Sequence, residues 1–195
     1  MPDVSGFVLA GGRSSRMRTD KAFLQIEGRT LLVRALELLR ALTPLVSIVG
    51  PATKFTAYGP VIEDLYSDRG PLAGIHAALL SSTTDLNVIL AVDLPSVTEQ
   101  LLRFLVEQAR ATTALVTVPR ILGGYQPLCA VYRRGFAAVA QAALDAGNNK
   151  IDSLFATTTT RTIEESELSR FAFRAAMFEN LNTPDDLHRA FPEKR

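Results

Sequence analysis

The chain has 195 residues, enough for one domain or two closely joined ones, and with 47% of them hydrophobic against 21% charged it can bury a sizeable core, which excludes disorder. A net charge of +1 excludes a global field toward nucleic acid or an anionic membrane, so any basic cluster is a local feature. The one cysteine, Cys129, excludes an intramolecular disulfide or a cysteine-rich zinc site; it lies in the apolar run Pro127 to Tyr132 and reads as an inert buried thiol.

Taken in order, the chain begins with a short apolar run, Gly6 to Leu9, that reads as a buried strand. Phe23 to Ile26 alternates as an extended segment before a turn at Glu27-Gly-Arg. Leu31 to Leu42 places Leu31, Ala35, Leu38 or Leu39, and Leu42 on one face, with Arg34, Glu37 and Arg40 opposite, the pattern of an amphipathic helix. A second strand is expected over Leu45 to Val49, broken by Gly50-Pro51, and Ala52 to Tyr58 is ambiguous. Val61-Ile-Glu63 reads as a third strand ending at Asp64, and Pro71 opens a helix running to about Leu80. Asn87 to Ala91 is a buried strand leading directly into Asp93.

Ser96 and Glu99 have capping-box spacing, and the helix behind them carries Leu101, Leu105 and Ala109 on one face. Strands are expected at Ala114 to Val118 and Pro127 to Tyr132, separated by a glycine-containing loop at Ile121 to Tyr125. Gly135 to Ala146 is an alanine-rich helix stopped by Gly147, and Thr160 to Ile163 a strand. Phe171 to Leu181 has no clear period. Thr183-Pro184-Asp185-Asp186 combines cap, first-turn proline and acidic first turn, and starts a final helix.

Strands alternating with helices predict an α/β fold in which helices cover both faces of a mostly parallel sheet, a three-layer Rossmann-like sandwich over a single domain, 1–195. Such sheets bind ligands beyond the carboxyl ends of their strands. Three features lie at such ends: Asp64, Asp93, and the loop Leu9-Ala-Gly-Gly-Arg-Ser-Ser-Arg-Met-Arg-Thr-Asp-Lys21. Gly11 and Gly12 allow close backbone approach, successive amides in such a turn can form an anion nest, and Arg13, Arg16, Arg18 and Lys21 add cations. The pattern is neither a Walker A loop nor a dinucleotide fingerprint, whose glycine spacings differ. It suits a polyphosphate, although a solvated basic turn has the same composition. Asp93 suits one magnesium ligand, since that ion takes few carboxylates and completes its shell from phosphate and water; a cap of the turn at Leu94-Pro95 is the other reading. The two histidines, His76 and His188, lie in predicted helices, so the sequence offers no general base. A phosphate nucleophile, already ionised, needs none.

These segments resemble the molybdenum cofactor guanylyltransferases of the MobA-like nucleotidyltransferase fold. The resemblance rests on Leu9-Ala-Gly-Gly12, Ser15-Arg-Met17, Asp20-Lys21, Val61-Ile-Glu-Asp64, Gly70-Pro-Leu-Ala-Gly74, Leu90-Ala-Val-Asp-Leu-Pro95, Gln126-Pro-Leu-Cys-Ala-Val-Tyr132 and Asn180-Leu-Asn-Thr-Pro-Asp185, spread over nearly the whole chain. It implies a nucleotide-diphospho-sugar transferase type of sheet and magnesium-dependent transfer of GMP from GTP to the terminal phosphate of molybdopterin, with loss of pyrophosphate. The phosphates of GTP would lie over Leu9, Ala10, Gly11 and Gly12, gripped by Lys21, Arg16 would stabilise charge on the triphosphate, Asp64 would contact the nucleotide, Asp93 would hold the metal, and Asn180 and Asn182 would face the pterin. The single cysteine, the net charge of +1 and the lack of any apolar stretch approaching the ~18 residues of a membrane span set the expectation of a cytoplasmic chain that involves neither nucleic acid nor membrane; a monomer or weak oligomer in transient contact with cofactor-insertion proteins and molybdoenzyme chaperones is expected. The alternatives are a cytidylyltransferase or other relative acting on a phosphorylated small molecule, and a non-catalytic GTP-binding carrier. CTP-using relatives carry Ala-Ala-Gly where this chain has Ala10-Gly11-Gly12, which favours GTP.

Two positions depart from the family pattern. Arg18 replaces a glycine, which at a positive φ costs on the order of 1 kcal/mol, so the loop takes another path or Arg18 reaches a phosphate. Gly50 stands where these enzymes often have asparagine, leaving one nucleotide contact missing or supplied by backbone. Only positions 21, 54, 150 and 194 are lysines among the 21 basic residues, so a lysine at position 21 in this arginine-rich chain suggests a need for a compact ammonium.

Overall fold

A computed structural model describes residues 3–11, 20–66 and 69–181. In chain order its elements are β1 (Val4–Leu9), β2 (Gln25–Ile26), β3 (Arg29–Thr30), α1 (Leu31–Arg40), β4 (Val46–Val49), α2 (Ala52–Phe55), β5 (Val61–Ile62), α3 (Pro71–Ser81), β6 (Leu86–Ala91) and α4 (Glu99–Arg110). They continue as β7 (Val116–Ile121), β8 (Gly124–Tyr125), β9 (Cys129–Arg133), α5 (Phe136–Asp145), α6 (Ile151–Phe155), β10 (Thr160–Glu164) and α7 (Glu165–Arg170). A 3-10 turn, Lys21–Phe23, lies between β1 and β2.

The central sheet runs β10-β7-β9-β6-β1-β4-β5, with β8 folded back on β7. β1, β4, β5 and β6 are mutually parallel, and β9 runs against both β6 and β7. The sheet is therefore mixed but mostly parallel, as the alternating pattern predicts. Side chains alternate between its faces. Val8, Val88 and Leu90 pack beneath α1 and α4, while Phe7, Leu9 and Ile89 pack beneath α3 and α5, which gives the three-layer sandwich.

Several local readings are corrected. β1 starts at Val4, because Val4 and Ser5 pair with Leu86 and Asn87 at the far end of β6. The buried stripe of α1 is Leu31, Leu32, Ala35, Leu36 and Leu39, leaving Leu38 and Leu42 half-buried. Thr98, not Ser96, caps α4, its hydroxyl accepting from Leu101 N at 3.3 Å. The loop at Ile121 to Tyr125 is a tight hairpin, with Ile121 paired to Gly124. Ala52 to Phe55 forms one helical turn, and Phe171 to Leu181 contains a 3-10 turn, Ala175–Phe178, in which Phe178 is buried, with Leu181 buried beyond it. The final helix expected at Thr183 lies outside the described residues.

The amino-terminal edge of the sheet is pinned by a buried polar cluster. The fully buried Asn87 amide donates to the carbonyls of Asp85 at 3.0 Å and Tyr132 at 3.2 Å, and its oxygen accepts from Ser82 Oγ. Thr84 Oγ1 reaches Ser5 Oγ at 2.9 Å. These groups join β1, β6 and β9 at the edge opposite the aspartates. Buried carbonyls stripped of a donor cost about 1–3 kcal/mol each, so Asn87→Ala should lower the unfolding free energy by about 2–4 kcal/mol. Urea denaturation measures this, and a loss within about 0.5 kcal/mol would show that the cluster carries no load.

Candidate functional site

The chain reverses its direction of travel across the sheet after β5, crossing through α3 to enter β6 on the other side of β1. In open α/β sheets this reversal leaves a crevice at the carboxyl ends of the strands. A cleft of about 620 Å³ occupies that place, walled by Leu9, Ala10 and Gly11 from β1 and its exit, Val49 from β4, Pro51 at the start of α2, and Asp93 beyond β6. Asp20, Lys21 and Asp64 line it as well, and Gly70, Pro71 and Gly74 bring the amino end of α3 to its edge.

Each side chain is held by backbone. Val92 N donates to Leu9 O at 3.1 Å, which carries Asp93 out beside the exit of β1. Asp20 caps the turn after the basic loop, its Oδ1 accepting from Ala22 N at 3.2 Å, and thereby presents Lys21. Lys21 Nζ then donates to Asp93 Oδ2 at 3.2 Å across the cleft, with both side chains about one-fifth exposed. Gly70, at φ +70° and ψ −163°, turns the chain into α3 in a conformation that L side chains rarely adopt.

Asp64 follows β5 on the facing wall. Its Oδ1 lies 3.5 Å from the position a Cβ would take on Gly74, so a glycine on α3 leaves room beside the carboxylate. Partial desolvation against this wall raises the Asp64 pKa above the usual value of 3.8, although the residue stays open to solvent on the cleft side. Leu181 N donates to Asp93 O at 3.0 Å, which brings the backbone that follows the exposed Asn180 to the aspartate across 88 positions of the chain.

One expectation for the glycine loop changes. The amides of Ala10 and Gly11 both donate to Val49 O, each at 3.0 Å, so they are not available to an anion. The last residue of the parallel neighbour β4, Val49, takes both donors. Any amide nest must come from Gly12 onward, outside the described residues, as are Arg13, Arg16, Arg18 and Asn182. Gly50 also receives a physical reason. A Cβ there would stand 2.9 Å from Phe55 Cε2 and 3.1 Å from Gly11 N, so this corner excludes the asparagine of the family pattern.

Cys129 and His76, read from the sequence as an inert thiol and as no general base, do not line the cleft. Cys129 is fully buried and its thiol is pushed up to about 12, which keeps it protonated and unreactive. His76 is buried within α3 against the Tyr66 ring, and burial lowers its pKa; His188 lies outside the described residues. Among the described residues, no three metal-ligating side chains cluster, and no helix is long and apolar enough to cross a membrane. The sequence reading missed Asp20, Val49 and Leu128 as lining residues, although Asp20 and Leu128 stand inside the quoted motifs.

A family model described as MobA-like NTP transferase domain matches residues 6–162. A molybdenum cofactor guanylyltransferase of Syntrophotalea carbinolica is 30% identical over 187 residues, covering 95% of this chain and 89% of that protein. Another from Desulfosudis oleivorans is 31% identical over 193 residues, covering 97% and 95%. The solved structure of molybdopterin-guanine dinucleotide biosynthesis protein A from Archaeoglobus fulgidus superposes with a TM-score of 0.84 at 27% identity, covering 96% of each chain.

The Gly50 corner is open to test. Gly50→Ala should lower stability by about 1–3 kcal/mol, the range for overpacking a tight site, as read by thermal melting. Substitution of Phe55 by leucine in the same chain should recover part of that loss. An unchanged melting temperature for Gly50→Ala would refute the tight fit.

Proposed function

The chain belongs to the MobA-like NTP transferase family and is a nucleotidyltransferase, and from that premise we propose that it transfers GMP from GTP to the terminal phosphate of molybdopterin. The observation that carries this reading is the pairing of Lys21 with Asp93 across the cleft. A cation and an anion there serve opposite needs of one ligand, the metal-bound triphosphate. Without it they neutralise each other, since an unpaired charge in a half-buried site is costly.

The residues present fit a magnesium ion. One carboxylate at the exit of β6 suits a cation that draws its remaining oxygens from phosphates and water. Bound there, the ion would neutralise charge on the triphosphate and hold it in position. Lys21 turns from Asp93 to the phosphate oxygens as the nucleotide enters. The wall of Leu9, Ala10 and Val49 excludes water on one side of the base. Asp64 reads its edge: guanine offers N1–H and N2–H donors, which two carboxylate oxygens accept together, whereas cytosine would turn its N3 acceptor toward them.

The acceptor phosphate, placed on the Asn180 side of Asp93, attacks the α-phosphorus of GTP. A bond forms from its oxygen to that phosphorus, and the bond from the α-phosphorus to the bridging oxygen breaks. Pyrophosphate leaves with the electron pair. The nucleophile is already ionised, so no side chain removes a proton, which agrees with the absence of histidine among the described cleft residues. The catalytic share of Lys21 and Arg16 is to stabilise charge, worth orders of magnitude where donors are preorganised. The reaction suits the cytoplasm, where Cys129 stays reduced.

Pyrophosphate release from purified chain, molybdopterin and magnesium tests the reading. GTP should support turnover and CTP should not; equal or greater release with CTP would overturn the choice of base. Asp93→Asn should lower kcat at least about 100-fold, and Lys21→Arg about 10- to 100-fold, with unchanged melting temperatures. Wild-type rates in either variant would remove that residue from the reaction.

Asp64 generates a pH prediction. Its raised pKa means that the carboxylate protonates at a higher pH than an ordinary aspartate, losing a lone-pair acceptor for guanine. The KM for GTP should therefore rise as pH falls through that pKa. In Asp64→Asn this acid limb should vanish and discrimination against CTP should drop about tenfold or more. An acid limb retained in the variant would assign the titration elsewhere.

A further inference from the structure

The turn that carries Lys21 does not stand by itself at the cleft. It rests on α2, the one-turn helix that follows β4. Phe23, at the end of the Lys21 turn, packs its ring 5.9 Å from the fully buried Phe55 and 5.9 Å from Tyr58. Asp20, at the start of the same turn, has its two oxygens engaged separately. Oδ1 accepts from Ala22 N at 3.2 Å, and Oδ2 accepts from Lys54 Nζ at 2.7 Å. The α2 turn has no side-chain cap of its own, and Ala52 N instead donates to Glu63 Oε1 at 3.0 Å, next to Asp64. One short helix therefore links the Lys21 side of the cleft to the Asp64 side.

Lys54 is also one of only four lysines in a chain that otherwise uses arginine. Its half-exposed side chain pairs with Asp20, which is about one-quarter exposed and lines the cleft. Substituting Lys54 would leave the aromatic contact in place but release Asp20 Oδ2, allowing the capping carboxylate to rotate away from Ala22 N. Lys21 is the adjacent residue, and small errors in the placement of a charge-stabilising group act mainly on the transition state.

We propose that Lys54 is a positioning residue for this enzyme: by pairing with Asp20 it holds the capped turn that aims Lys21 at the phosphates. The inference rests on the nucleotidyl-transfer reading for its kinetic arm, and on geometry alone for its second arm.

The test compares the full chain with Lys54→Ala, Lys54→Arg, Asp20→Asn and the double variant Lys54→Ala/Asp20→Asn. In pyrophosphate release, Lys54→Ala should lower kcat about tenfold while the nucleotide KM moves less than about threefold. Lys54→Arg, which keeps the ion pair, should recover at least half of the lost rate. The double variant should be no slower than Asp20→Asn, because the two residues act as one unit. Melting temperatures of the Lys54 variants should stay within about 2 °C of wild type, since an exposed ion pair contributes little to stability.

The second arm is competitive acetylation with acetic anhydride, read by mass spectrometry at each lysine. Lys21 should react severalfold faster in Lys54→Ala and at the wild-type rate in Lys54→Arg, with Lys150 as internal reference. If the wild type shows no turnover but Lys21 labelling responds in this way, the positioning role stands and the reading of the reaction falls. Wild-type labelling of Lys21 in Lys54→Ala, or rate losses that simply multiply in the double variant, would overturn the proposal.

Discussion

The register between β1 and β6 is the constraint on which the site depends. Six consecutive parallel pairs, from Val4 opposite Leu86 to Leu9 opposite Ala91, bring the two strands to the same edge at the same height. The next backbone bond, Val92 N to Leu9 O, carries the match one residue past the strands. A slip of one residue would reverse which face of the sheet each side chain meets, burying Asp93 or aiming it away. Because both faces of β1 and β6 are packed under helices, such a slip would expose apolar residues on two layers at once. The core thus sets where the polar groups emerge.

From that register follows a division of labour between the two edges of the sheet. The amino-terminal edge is closed by the Asn87 cluster, whose polar atoms meet carbonyls and hydroxyls from β1, β9 and the loop that leads into β6. The carboxyl-terminal edge is open, and its charged groups meet across a cleft. Buried polar networks hold shape when each member has its partner. Charges that must later take up a ligand need water nearby and partners that can be exchanged, and the partly exposed Lys21 and Asp93 have both. Rigidity at one edge supports exchange at the other.

The cleft is also assembled from chain segments whose contacts come in layers. Lys21 meets Asp93 directly, Asp20 orients the turn below Lys21, and α2 supports that turn through Phe55 and Lys54. The same helix takes its amino-terminal cap from Glu63, beside the carboxylate on the opposite wall. Gly50 lets this corner close, since the space beside Gly11 and Phe55 has no room for a side chain. A residue that looked like a lost contact is therefore a condition of the packing. The lesson is that position and volume decide as much as charge does.

Sequence alone determined the alternation of strands and helices, the strand-end placement of Asp64 and Asp93, and the buried, inert character of Cys129, because these depend on hydrophobic period and local composition, which are properties of neighbours along the chain. It also supplied the signature that named the family. Tertiary structure decided what neighbours in space control. The pairing of Lys21 with Asp93 spans 72 positions, the bond from Leu181 to Asp93 spans 88, and the Lys54–Asp20 bridge spans 34. No period encodes such pairs. The loss of the Ala10 and Gly11 amides to Val49 O was hidden for the same reason, since a backbone donor's fate depends on which strand lies alongside it rather than on the residue that carries it.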